Sequence, residues 1–241
     1  MQPTMPEISI VYPMYNEEDN IHRAVQMAQR ELDLAADGDY EIVIVNDAST
    51  DHTGQIAEEL AAMDPRIKTV HHPVNRKLGG SIRTGLANST GDIVIYMDGD
   101  IPCDLAHVHE ALPKLEKADV VVGYRTNRYE GVLRWIYTRV YNLLVRLLLK
   151  VCVRDVNCAF KLFKRRVIEA MDLRSEGSFI DAEMLAEAQR LGYTIEQIPV
   201  EFIPRQAGES TLARPSIIVK IMAEFAQYLF RRKNSAKETE E

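Results

Sequence analysis

The sequence predicts an α/β fold, a mostly parallel, doubly wound sheet flanked by helices. Three observations carry this expectation. Short β-branched runs alternate with amphipathic stretches through the first half of the chain. Polar clusters sit directly after the strand runs, where ligands of open parallel sheets bind. The composition, 46% hydrophobic and 27% charged over 241 residues, is that of a globular chain long enough to bury a sizeable core.

Residues 8–12, 41–45, 67–71, 93–97 and 120–122 read as buried strands. Between them, residues 17–36, 53–63, 80–89 and 105–117 carry apolar residues at helical spacing. The second half is less regular. Residues 132–151 form a long amphipathic helix pattern, 159–163 a short strand, 180–191 a helix, 194–203 a strand and 216–232 a last amphipathic helix. The polar tail 234–241 is expected to be disordered. Without internal repeats, residues 1–233 are expected to form one domain with a C-terminal elaboration.

Charge divides the chain. Residues 1–122 hold 9 Lys+Arg against 21 Asp+Glu, whereas residues 123–233 hold 19 against 12, so different partners are expected to meet the two halves. A basic half invites nucleic acid, but no nucleic-acid-binding motif or basic–aromatic interleaving supports that partner. No GxGxxG follows the first strand and no Walker A sequence occurs, which takes most of the weight from dinucleotide oxidoreductase and P-loop NTPase readings. Cys103, Cys152 and Cys158 make no even disulfide framework. With no leader-like pattern and no long uncharged apolar run, a cytoplasmic location is expected.

Chemistry concentrates at the strand ends. Asp98-Gly99-Asp100 follows the apolar run 93–97, and two carboxylates around a small residue can face one hard cation, which completes its shell with water and substrate phosphates. The same tripeptide also suits a plain turn. Asp47, at another strand end on the same edge, favours the metal.

Taken in order, the motifs resemble a known family. Pro13-x-Tyr15-Asn16-Glu17, Asn46-Asp47-Ala48-Ser49-Thr50-Asp51, the run from Asn75 through Gly79-Gly80-Ser81-Ile82-Arg83 to Gly85, and Asp98-x-Asp100 look like the family 2 glycosyltransferases of the GT-A fold. The stretch 154–163 (RDVNCAFKLF), the stretch 179–185 (FIDAEML) and Pro204-Arg205-x-x-Gly208-x-Ser210 resemble dolichyl- and polyprenyl-phosphate glucosyl- and mannosyltransferases. The resemblance covers residues 7–230.

This resemblance implies roles. Pro13, Tyr15, Glu17 and Asp47 would hold the nucleoside of a nucleotide sugar, Asp47 accepting a base N–H and Tyr15 offering a stacking face. Asp98 and Asp100, around Gly99, would hold Mg²⁺ or Mn²⁺ against the diphosphate, where the cation offsets charge on the leaving group. Gly79 and Gly80 could open a helix whose N–H groups face an anion, with Arg83 one turn on; a plain helix entry and a solvent-facing arginine read equally well. Asp181 and Glu183 are either acceptor-site carboxylates, Asp181 then being catalytic, or helix-capping and solvent-facing groups.

A polyprenyl phosphate acceptor fits the basic half, with Arg125, Arg139, Arg205 and Ser210 on its phosphate. Arg139, Arg146 and Lys150 fall on one stripe of the apolar 132–151 helix, and Trp135, Tyr137 and Tyr141 are available as interfacial anchors. The resulting expectation is an inverting hexosyltransferase held peripherally at the cytosolic face of a membrane, with a membrane protein or a second copy as further partners. Pro102 and Thr211 depart from the family pattern. Two other readings stand beside it: a family 2 transferase using a hydroxyl acceptor, with Asp181 as base, and a catalytically silent nucleotide-sugar or membrane-surface binding module.

Overall fold

The computed structural model describes residues 7–127, 132–203 and 215–238, excepting the side chains of 132–137, 215–219 and 233–238. Seven strands form one sheet: β1 (Ile8–Met14), β2 (Tyr40–Asn46), β3 (Ile67–His71), β4 (Ile93–Met97), β5 (Val120–Arg125), β6 (Phe160–Lys164) and β7 (Ile195–Val200), in the order β3-β2-β1-β4-β6-β5-β7. Every pairing is parallel except those of β6, which runs antiparallel to both β4 and β5. The mostly parallel sheet and its flanking helices are as the sequence predicts.

The helices are α1 (Ile21–Ala35), α2 (Thr53–Met63), α3 (Lys77–Asn88), α4 (Val108–Ala111), α5 (Val132–Leu144), α6 (Arg165–Ala170), α7 (Ile180–Arg190) and α8 (Pro215–Glu238). Strand alternation sends Ile8, Ile10, Tyr12 and Met14 to one face, where they pack with α1, α2 and the 105–115 segment. Val11, Val43, Val45, Val94 and Tyr96 face the other side, under α3, α7 and α8. At Gly85 of α3 an added Cβ would lie 2.2 Å from Val11 Cγ1, so glycine lets this helix sit directly on β1.

Several boundaries differ from the sequence reading. The 105–117 segment is a short α-turn between two 3₁₀ turns, because Pro113 cannot continue an α-helical ladder. The 132–151 pattern is α-helical only to Leu144, continues as a π-turn over Val145–Leu149, and ends at Lys150 with φ 62°. Helix α6 follows β6 without a loop and was not expected. Helix α8 runs through Glu238, so residues 234–238 extend it rather than ending it; the rest of the polar tail lies outside the described residues.

An edge contact anchors the acidic half. Arg66 donates through Nε to Asp64 Oδ1 at 3.0 Å and through Nη2 to Asp64 Oδ2 at 2.8 Å, and this holds the Asp64 carboxyl down at about 2. A depressed folded-state value stabilises above the ordinary carboxylate range, and that stability is lost as pH falls toward 2. Asp64→Asn should therefore destabilise by about 1 kcal/mol at neutral pH, after allowance for solvent screening, with the difference vanishing in acid. Chemical denaturation at pH 7 and at a pH below 2 checks this.

Candidate functional site

Because β6 alone is reversed, its amino end meets the carboxyl ends of the other strands. The stretches after β1, β2 and β4 therefore share one edge with Asp155, Cys158 and Lys161. Four of the non-glycine residues with left-handed backbone lie here as well: Asn16 (φ 55°), Ala48 (φ 57°), Lys77 (φ 60°) and Ile101 (φ 54°). For a β-branched residue such as Ile101 that conformation is strained, and such strain gathers at ligand sites.

On the β1–β2 side, two loops are laced together. Asn16 donates its N–H to Ser49 Oγ at 3.0 Å and accepts from the Thr50 N–H at 2.8 Å. Glu17 donates its N–H to Thr53 Oγ1 at 2.8 Å, and its carboxylate accepts from Asn20 at 2.6 Å. Tyr15 is 48% exposed beside this lacing, so its ring is open to a stacking partner. Pro13 lies beyond the last β1–β4 pair, Val11↔Tyr96, and its missing N–H removes no bond there. Asp47 is 3% exposed; its Oδ1 meets His72 Nδ1 at 2.7 Å and accepts from the Arg76 N–H at 2.7 Å.

On the β4 side, Asp98 accepts at Oδ1 from the Tyr96 hydroxyl at 2.6 Å. Burial, then the neighbouring Asp100 and Asp181 charges, push the Asp98 carboxyl up to about 7, against opposing help from Tyr96 and Lys161. Asp100 and Asp181 thus both act on Asp98, and Asp181 in turn is held by Lys161. Such an excess of negative charge fits a divalent cation at Asp98 and Asp100, with Gly99 packed against Met14 and the Pro13 carbonyl between them. Among the described residues no three His, Cys, Asp or Glu side chains surround one point, so remaining ligands would come from water and substrate.

Several expected site residues are placed otherwise. The N–H groups of Gly79 and Gly80 both donate to the Glu176 carbonyl, at 2.8 and 3.3 Å, and so do not open onto an anion. Arg83 Nη1 binds the Arg174 carbonyl at 3.2 Å and Glu176 Oε1 at 3.0 Å, so its guanidinium is engaged within the fold. Arg125 grips Asp155 through Nε at 2.6 Å and Nη2 at 3.0 Å, so its planar fork is already matched to a carboxylate. Asp181, 5% exposed, pairs with Lys161; it is neither a solvent-facing carboxylate nor open to an incoming hydroxyl. Glu183 is buried and accepts from the Arg174 and Ser175 N–H groups and from Arg231, which makes it structural.

Tyr141 packs into the core under the sheet rather than toward an interface. Arg139 is exposed on α5. Arg205, Ser210 and Thr211, and the side chains of Trp135 and Tyr137, lie outside the described residues. Ile203, the last residue described before Arg205, donates its N–H to the Pro102 carbonyl at 2.8 Å, two residues past Asp100.

The sequence reading missed Tyr96, Lys161 and Asp155. Lys161 is fully buried, bonded to the Cys158 carbonyl at 2.6 Å and to Asp181. A lone lysine inside the apolar run FKLF signals a buried partner but cannot name it.

A mostly parallel sheet with one reversed strand places the carboxylate pair after β4 and the loops after β1 and β2 on one carboxyl edge. The family model for glycosyl transferase family 2 matches residues 9–172, and the chain belongs to that family. It is 33% identical over 220 residues to glycosyltransferase AglD of Haloferax volcanii, covering 86% of this chain but 35% of AglD. It is 31% identical to an undecaprenyl-phosphate 4-deoxy-4-formamido-L-arabinose transferase of Pseudomonas fluorescens, covering 89% of this chain and 62% of that one. An undecaprenyl-phosphate mannosyltransferase of Micrococcus luteus is 28% identical, with 84% and 86% covered. The chain thus spans about a third of AglD and under two thirds of the arabinose transferase. In fold it is similar to glucosyl-3-phosphoglycerate synthase from Mycobacterium tuberculosis in complex with UDP, with TM-score 0.69, 21% identity and 93% and 80% of the chains covered.

Proposed function

We propose that the chain transfers a hexose from a nucleotide sugar of the UDP-glucose or GDP-mannose type to a polyprenyl phosphate, with inversion, at the cytosolic surface of a membrane. The observation that carries this reading is the carboxylate pair Asp98 and Asp100 beside the Tyr15–Asp47 loops, on one sheet edge. Two of the relatives above, named for transfer to undecaprenyl phosphate, support the acceptor class.

In this reading Tyr15 stacks on the nucleobase, and Asp47 accepts a base N–H through Oδ2, since Oδ1 is taken. Pro13 and Glu17 complete the nucleoside pocket. Asp98 and Asp100 hold Mg²⁺ or Mn²⁺, which when bound offsets charge on the departing nucleoside diphosphate. An acceptor phosphate oxygen attacks the anomeric carbon. The bond from that carbon to the diphosphate oxygen breaks, and its electron pair leaves with the nucleoside diphosphate. The nucleophile is already anionic, so no proton has to be removed. That matches a site where Asp181 is locked on Lys161. Arg139, Arg205 and Ser210 are the residues this reading assigns to the acceptor phosphate.

The lipid surface has a matching face. Val145 and Leu149 turn into the core, while Val140, Leu143, Leu147 (65% exposed) and Leu148 point outward among exposed Arg139, Arg146 and Lys150. Exposed aliphatics ringed by cations suit an anionic bilayer, each basic residue contributing about 1 kcal/mol. Among the described residues no helix is long and apolar enough to cross a membrane. The protein should float with phosphatidylglycerol vesicles at low salt, and Leu147→Asp with Leu148→Asp should abolish this. Flotation unchanged by the pair would contradict the interface.

The test of the reaction is a panel of UDP- and GDP-sugars with Mn²⁺ or Mg²⁺ and a short polyprenyl phosphate, with products read by mass. A glycosyl polyprenyl phosphate is the expected product. Donor binding without transfer to any acceptor would favour a silent binding module.

A further inference from the structure

Behind the carboxylate pair lies a buried relay that no part of the proposed reaction yet uses. Tyr96 and Lys161 are directly opposed in the β4–β6 ladder, so both side chains leave the same face of the sheet. Both are fully buried. Lys161 Nζ stands 5.3 Å from the centre of the Tyr96 ring and is pinned there by Asp181 on α7 and the Cys158 carbonyl. The Tyr96 hydroxyl donates to Asp98 Oδ1 at 2.6 Å. Three elements, β4, β6 and α7, therefore converge on the orientation of one carboxylate.

We propose that Tyr96 and Lys161 are positioning residues that hold Asp98 in the rotamer its cation needs; the inference rests on the metal-dependent reading above. A carboxylate next to two others is pushed away from both by repulsion, and only a donor on one oxygen keeps it in place. The hydroxyl takes Oδ1 and leaves Oδ2 to the cation. Lysine over the ring draws electron density from it, which strengthens the hydroxyl as a donor. Such outer partners of metal ligands commonly change metal affinity or activity by about 10- to 100-fold.

Mn²⁺ binding is measured by electron paramagnetic resonance of the free ion, with excess UDP and separately with excess GDP, so that no turnover is involved. Tyr96→Phe keeps the ring and its packing but removes the donor. It should weaken Mn²⁺ binding about tenfold and lower kcat similarly, with donor KM at saturating Mn²⁺ unchanged. Lys161→Met combined with Asp181→Leu removes both buried charges, should keep the fold by thermal melting, and should still bind Mn²⁺ more weakly than wild type. Wild-type Mn²⁺ affinity in both variants overturns the positioning role and leaves the metal reading intact. Absence of Mn²⁺ binding by the wild type with either nucleotide overturns both.

Discussion

Asp98→Asn and Asp100→Asn should each lower turnover about a thousandfold, a loss of about 4 kcal/mol in transition-state stabilisation, while the fold persists. Asparagine keeps the shape of aspartate but loses the charge a hard cation requires. The structure adds a sign that the motif alone does not supply. Burial first, and then the charges of Asp100 and Asp181, raise the Asp98 carboxyl to about 7, so its ionised form works against folding. Removing that charge relieves the burial cost and the repulsion, so Asp98→Asn should melt higher than wild type, by a margin that opens as pH rises past the ordinary carboxylate range and is complete above about 7. Function is here held at the expense of stability. Near-wild-type turnover in both variants, with metal dependence intact, would remove these carboxylates from the reaction.

Lys161→Met should have the largest effect on stability, about 3–5 kcal/mol, because it strands Asp181 as an unpaired buried carboxylate. In a chain of this size that is a fall of roughly 10 °C in Tm. Adding Asp181→Leu should restore most of the loss, since an apolar pair of similar volume commonly matches a buried ion pair. The opposite order, a stable single variant and an unstable double one, would mean that Lys161 is not the partner holding Asp181.

The parallel half of the sheet was legible because buried strands and amphipathic helices have distinct periods, and the strand ends located Asp47, Asp98 and Asp100. The reversal of β6 was not. A five-residue apolar run reads the same in either direction, and β6 passes into α6 without a turn residue to mark the change. The roles of Gly79, Gly80 and Arg83 depended on Glu176, about ninety or more residues away, and local spacing carries no information about such a partner. Arg125 shows the same limit. Its charge suggested a phosphate, whereas Asp155 in the connection before β6 takes its fork. Position at a strand end follows from the local pattern; partners that meet across the sheet are brought together only by the fold.

The acceptor should be an anion that needs no base. The direct measurement offers the protein one nucleotide sugar with a short polyprenyl phosphate, and separately with the corresponding polyprenol, under identical metal and donor concentrations. Transfer to the phosphate, with inverted configuration at the anomeric carbon and none to the alcohol, is the predicted result. Transfer to the alcohol at a comparable rate would contradict it, because a hydroxyl must lose a proton and Asp181, bound to Lys161 beneath the site, is not placed to take it.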